Sequence, residues 1–248
     1  MTAPVLVALA RADRDPRTAA AVTDLVEQVR LQRPDLRVEK AWIGSGSSRH
    51  RPTFDAVLDK LARNGVEEVV VVPLALTDDA AVVVDLGYAL ARTERPLAVR
   101  VAAPLGLETA LLEVLDIRMR EALSTARVRE LDALVLAASG SADPLTNQTV
   151  ARLARVWGNH HKLPVTAAYA SSAPPATGEA VRAFRAEGRR HIAVASLFLT
   201  HGELCDRATE LALEAGAIAV SAPLGAHPEI ARMLLARYAV GAVELVPV

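Results

Sequence analysis

The chain has a single cysteine, Cys205, among 248 residues. It can form no internal disulfide, which fits a reducing compartment. Aromatic residues are scarce at 3%, while apolar residues reach 52%. The core must then be filled by Val, Leu, Ile and Ala, the usual content of a parallel sheet covered by helices. Neither sign of charge is in excess: Lys plus Arg is 28, Asp plus Glu is 29, and the formal net charge is -1. That balance lacks the broad positive field of a nucleic-acid binder, so none is expected as a partner. The basic clusters at Arg49–Arg51 and Arg189–His191 are short and suit a solvated surface as well as a binding patch. Long hydrophobic runs are also missing. Val69–Leu76 is closed by charge on both sides, far short of the 18 or more apolar residues of a membrane span. No basic stretch precedes the first apolar run, so no secretory leader is expected, and the expected location is the cytoplasm.

What is present is a repeat. GVEEVVVVPLALT, beginning at Gly65, returns as GRRHIAVASLFLT from Gly188, each preceded by a matching helical segment. VAAPLGLETALLEVLDIR from Val101 returns as VSAPLGAHPEIARMLLAR from Val220. The openings match too: Val5–Ala8 leads to Asp15-Pro16, and Leu134–Ala138 leads to Asp143-Pro144. Four matches in the same order establish a duplication. The boundary falls near Ser124–Glu130, giving expected units 1–126 and 127–248.

Each unit alternates strand and helix four times. In the first, strands are expected at Val5–Ala8, Val38–Ile43, Val69–Leu74 and Val99–Ala102. Helices are expected at Thr18–Gln32, Thr53–Asn64, Ala80–Arg92 and Glu108–Ala126. Asp15 suits an N-cap with Pro16 at the first helical position, and Gly65 a left-handed C-terminal cap. The β-branched residues of Val69–Leu74 occupy both parities, predicting a central strand buried on both faces. The expected class is α/β, two tandem homologous units, each a four-stranded parallel sheet flanked by helices.

Ligands of such sheets bind at the carboxyl ends of the strands. The loop Ser139-Gly140-Ser141 lies there, ahead of a helix start, where backbone N–H groups can receive a carboxylate or phosphate; an ordinary capped turn is the alternative. Beyond the third strand of the second unit comes Thr200-His201-Gly202-Glu203-Leu204-Cys205-Asp206. Imidazole, carboxylate and thiolate there make His201, Glu203 and Cys205 candidate ligands for iron, cobalt, nickel or zinc, with His201 and Cys205 the candidate catalytic groups. The alternative is a loop histidine, acids opening a helix and a cysteine serving as a small core residue. Thr77-Asp78-Asp79 holds the equivalent place in the first unit. After the second strand, Arg49 and His50 sit in a long basic loop and can pair with ligand carboxylates. His227 lies at another strand end. His160-His161 reads as an exposed helix end, and His191 as structural.

These loops carry a resemblance to the sirohydrochlorin and cobalt chelatase family, the CbiX and SirB type, including its two-unit members. Its first strand runs into His-Gly-Ser and Asp-Pro, matched by Ser139-Gly140-Ser141 and Asp143-Pro144 with serine in place of histidine. Val69–Leu76 matches its third strand, and Asp85 and Asp206 its following aspartate. Ala103–Gly106 and Ala222–Gly225 match its Ala-Pro-Leu-Gly. The resemblance implies a lyase of cobalamin or siroheme biosynthesis that inserts cobalt or iron into a sirohydrochlorin-type tetrapyrrole, with no organic cofactor. It also implies a metal site of two histidines and a glutamate. In the first unit those positions fall in Leu9–Asp13, near Gly44 and on Ala81; in the second they fall on Ser139, near Ser171 and in Gly202–Cys205. Neither unit keeps the set, so a non-catalytic tetrapyrrole- or metal-binding protein is the alternative.

Overall fold

A computed structural model describes residues 3–44, 52–77, 80–92 and 96–245. The elements run β1 (Val5–Arg11), α1 (Pro16–Gln32), β2 (Val38–Ile43), α2 (Phe54–Arg63), β3 (Glu68–Pro73), α3 (Ala80–Ala91), β4 (Ala98–Val101) and α4 (Leu111–Thr125). They continue as β5 (Ala133–Ala138), α5 (Pro144–His161), β6 (Val165–Tyr169), α6 (Thr177–Ala186), β7 (Ile192–Leu197), α7 (Glu203–Glu214), β8 (Ala219–Val220) and α8 (Pro228–Val243). The strands form two four-stranded sheets, β2-β1-β3-β4 and β6-β5-β7-β8, and every pairing is parallel. The expected architecture is therefore present twice.

Local chemistry explains the element ends. The Asp15 carboxylate accepts the Arg17 amide at 2.8 Å, and Pro16 supplies a φ already suited to the first helical turn. Asp143 and Pro144 repeat the device at α5. Gly65 closes α2 at φ +70°, a conformation that costs glycine nothing and other residues about 1–2 kcal/mol. β3 lies between β1 and β4, and Val69–Val72 are fully buried, as its two-faced apolar pattern predicts.

Two compact units result, but their limits are not those of the repeat. The first comprises Met1–Gly106 with Ala226–Val248, and the second Leu107–Gly225. The boundary expected from the sequence lies at 126/127, while packing places the last helix of each repeat elsewhere. α8 lies on α1, β3 and β4, and α4 on β7 and β8. In the first unit α2 and α3 cover one face of the sheet, where Phe54, Leu58, Leu61 and Leu86 meet Val7, Leu9, Val69 and Val71. The other face takes α1 and α8. Tyr238 donates to the Pro4 carbonyl at 2.7 Å, and Arg237 to the Leu105 carbonyl at 2.8 Å. Close contact also fixes α8, because a Cβ on Gly241 would stand 2.7 Å from a methyl of Val70. In the second unit α6 and α7 cover one face and α4 and α5 the other. Arg118 of α4 donates to the Leu224 carbonyl at 2.9 Å. No helix among the described residues is long and apolar enough to cross a membrane.

Candidate functional site

In each unit the strand order reverses between the first and third strands, which opens a crevice at the carboxyl edge of the sheet. In the first unit Arg11 ends β1, and Gly44 follows β2 at φ +102°. A Cβ on Gly44 would stand 3.3 Å from a carboxylate oxygen of Asp85 on α3 and 3.8 Å from Cγ of Arg11. The topology thus gathers the ends of β1 and β2 with α3. The side chains gathered there are a guanidinium, a hydrogen and a carboxylate.

In the same unit a cavity of about 270 Å³ opens at the ends of β3 and β4, lined by Pro73, Val82, Val83, Leu86, Val101 and Pro104. The lining extends onto the solvent face of α3, where Val83, Val84 and Tyr88 are 58%, 53% and 69% exposed. A helix whose outer face is as apolar as its inner one has more apolar surface than its own core uses. The carboxylates Asp78 and Asp79, and the basic pair Arg49 and His50, lie outside the described residues.

The crevice of the second unit is tightly hydrogen-bonded. Ser171 donates its amide and its hydroxyl to the Ser139 carbonyl, at 3.0 and 2.9 Å. The Ser141 amide is given to Asn147 at 3.0 Å, and the Asn147 side chain returns a bond to the Ser141 carbonyl at 2.7 Å. Tyr169 holds Asn147 in place by donating to its carbonyl at 2.9 Å. Gly140, at φ +83°, lies so close to Ser171 that any Cβ would collide with the Ser171 carbonyl oxygen. Asp143 caps α5 by accepting the Leu145 and Thr146 amides and the Thr146 hydroxyl. The Thr146 hydroxyl, and then those two amides, hold its carboxyl below the usual aspartate range. The N–H groups expected to receive an anion at Ser139–Ser141 are thus partly taken by the protein itself: the Ser141 amide by Asn147, and the helix start by Asp143.

The candidate ligands His201, Glu203 and Cys205 lie in three different environments. Cys205 is buried on the inward face of α7 with Ala208 and Ala212, packed in the apolar core with Ala137 and Phe198. Glu203 is exposed. Two residues apart on a helix, the two side chains point about 200° apart. His201 stands half-buried before the α7 N-cap, Gly202, with Nδ1 4.0 Å from Asp206. Cys205 is a core residue, and the three do not converge. Among the described residues the His, Cys, Asp and Glu donors come together in a group of three only at Asp116, His160 and His161, a group that sequence spacing gave no reason to assemble. His227 caps α8, its Nδ1 accepting the Glu229 amide at 3.2 Å. His191 stands 3.4 Å from Asp132, whose carboxyl also accepts the His191 and Arg190 amides. Sequence reasoning missed Arg11 and the apolar α3 face. The signal for the latter was the run Ala80–Leu90, in which apolar residues fill every side of the helix.

Comparison with known proteins bears on the family and the fold. The CbiX family model matches residues 5–122 and 133–240. Among solved structures, SirB from Bacillus subtilis with Fe3+ superposes with a TM-score of 0.77 at 16% identity, covering 98% of this chain and 96% of that one. CbiX described as the terminal enzyme for biosynthesis of siroheme in denitrifying bacteria gives 0.67 at 18% identity, covering 98% and 100%. DR2241 from Deinococcus radiodurans, a multi-domain protein with structural similarity to chelatases, gives 0.67 at 17% identity, covering 95% of this chain and 54% of that one. No curated protein matches the sequence. With both repeats matched across most of their length, the chain belongs to the CbiX family of chelatases.

Proposed function

We propose that this protein binds a sirohydrochlorin-type tetrapyrrole at the carboxyl edge of the first unit and carries it without inserting metal through the family's ligand set. The observation behind this reading is the exposed apolar face of α3 running into the cavity at the ends of β3 and β4, in the unit whose β1 ends at Arg11. A flat apolar ring fringed by carboxylates is complementary to such a surface. The cavity takes one edge of the ring, the α3 valines and Tyr88 cover its face, and Arg11 and the basic loop with Arg49 and His50 pair with its carboxylates. Divalent metal insertion needs donors that hold the ion and accept two pyrrole protons. Arg11, Gly44 and Ala81 offer no such donor, and the carboxylates Asp13 and Asp85 come without an imidazole.

A second reading keeps the activity and rests on one observation, the His201–Asp206 pair at the end of β7. There an imidazole backed by a carboxylate accepts the pyrrole protons while cobalt or iron enters the ring. One anaerobic experiment separates the two. The protein is mixed with sirohydrochlorin, its spectrum recorded, and Co2+ or Fe2+ then added. The carrier reading expects a tetrapyrrole spectral shift that is lost in Tyr88→Asp, with insertion no faster than in protein-free buffer. Acceleration abolished by His201→Ala establishes the second reading. A spectrum unmoved by the protein overturns both.

A further inference from the structure

At the amino ends of β5 and β6, away from the crevice, α4 and the last turn of α5 bring together Asp116, His160 and His161. One ligand atom from each lies within 4.8 Å of the others. His161 Nε2 is 2.7 Å from Asp116 Oδ1, and the Trp157 indole N–H donates to the same oxygen at 2.6 Å. The His160 and His161 rings stand edge to face with centroids 4.9 Å apart. The group borders a cavity of about 370 Å³ whose remaining wall includes Met119, Leu123, Leu131 and Leu163. Arg120 also lines it, with Nε held on the Asp116 carbonyl at 3.2 Å.

We propose that Asp116, His160 and His161 bind a divalent transition-metal ion, in a site separate from the tetrapyrrole crevice and independent of the function proposed for it. Two imidazoles and one carboxylate form a donor set suited to Zn2+, Co2+ or Ni2+, and three protein ligands leave coordination positions for water or a further ligand. The 2.7 Å contact between imidazole and carboxylate opens to metal–ligand geometry by a displacement of less than about 1 Å, because Zn–N and Zn–O bonds are about 2.0–2.2 Å. Trp157 supplies the outer hydrogen bond that orients a ligating carboxylate, and it is itself fully buried. Both histidines sit in the last turn of α5, where the partial negative charge of the helix end favours a cation. The ion ties α4 to α5 and so stabilises the second unit.

The test is titration of the full-length, chelator-treated protein with Co2+, followed by its visible d–d absorption, and with Zn2+, followed by thermal unfolding. One Co2+ per chain and a rise in Tm with Zn2+ are expected. His160→Ala and His161→Ala alter exposed side chains and leave the fold intact by circular dichroism. Loss of the Co2+ bands in either supports the site. Trp157→Phe keeps the ring and removes the N–H, and weakens Co2+ binding by about 10-fold or more. Undiminished Co2+ binding in both histidine variants, binding that depends on His201 alone, or none in the parent protein overturns the proposal.

Discussion

At the residue scale, single atoms decide how the second crevice is built. Gly140 has no substitute: alanine there meets a φ of +83° and the Ser171 carbonyl together. Gly140→Ala is expected to destabilise the protein by about 2 kcal/mol or more, a strained backbone position plus a collision, read from the urea midpoint. Asp143 carries a pH signature. Its carboxyl is held below the usual range, chiefly by the Thr146 hydroxyl and then by backbone amides. A depressed folded pKa means stabilisation that is complete above the ordinary aspartate pKa of about 3.9 and lost as pH falls through the folded value. Urea midpoints measured between neutral pH and about pH 3 should therefore fall less steeply in Asp143→Asn, since asparagine caps without titrating. A wild-type slope in that variant refutes the assignment. Cys205 shows where residue-level reading stops. Its chemistry as a thiol and its use as a small apolar residue share one letter, and only its place on the inward face of α7 separates them.

At the element scale, most of the chain was legible in advance. The strands Val5, Val38 and Val69 and the helices at Pro16, Phe54 and Ala80 begin within two residues of where periodicity and caps placed them. Their information is local, because a cap or an apolar stripe acts within one or two helical turns. The docking of α8 was not legible in this way. Gly241→Ala is expected to cost about 1–3 kcal/mol in the urea midpoint, because a Cβ there overlaps the fully buried Val70 against a close-packed sheet. An unchanged midpoint would mean that α8 is held by its polar contacts alone. The α3 face obeys the same logic in reverse. Val83→Lys removes apolar surface from an exposed position, so stability should stay within about 0.5 kcal/mol of wild type while tetrapyrrole binding is lost. A loss of stability would instead show that the face serves the fold.

For the whole molecule, the decisive fact is that the compact units and the sequence repeats have different limits. A fragment of residues 107–225 holds a complete unit in one continuous stretch and is expected to unfold cooperatively by circular dichroism. A fragment of residues 1–126 lacks α8, leaves one face of its sheet partly uncovered, and is expected to be poorly folded. If 1–126 folds as well as 107–225, the repeat is the folding unit after all. The duplication, the parallel α/β class, the caps and the loops at the carboxyl edge were determined by the sequence by itself, because each follows from periodicity, composition or short-range hydrogen bonding. Tertiary structure alone decided which sheet receives α4 and which α8. The two repeats offer equivalent apolar faces, so a helix stripe that fits one fits the other by pattern. It alone also decided which donors meet. Asp116 and His161 lie far apart in the chain and meet between α4 and α5, while Glu203 and Cys205, near neighbours in the sequence, are turned to different sides of α7.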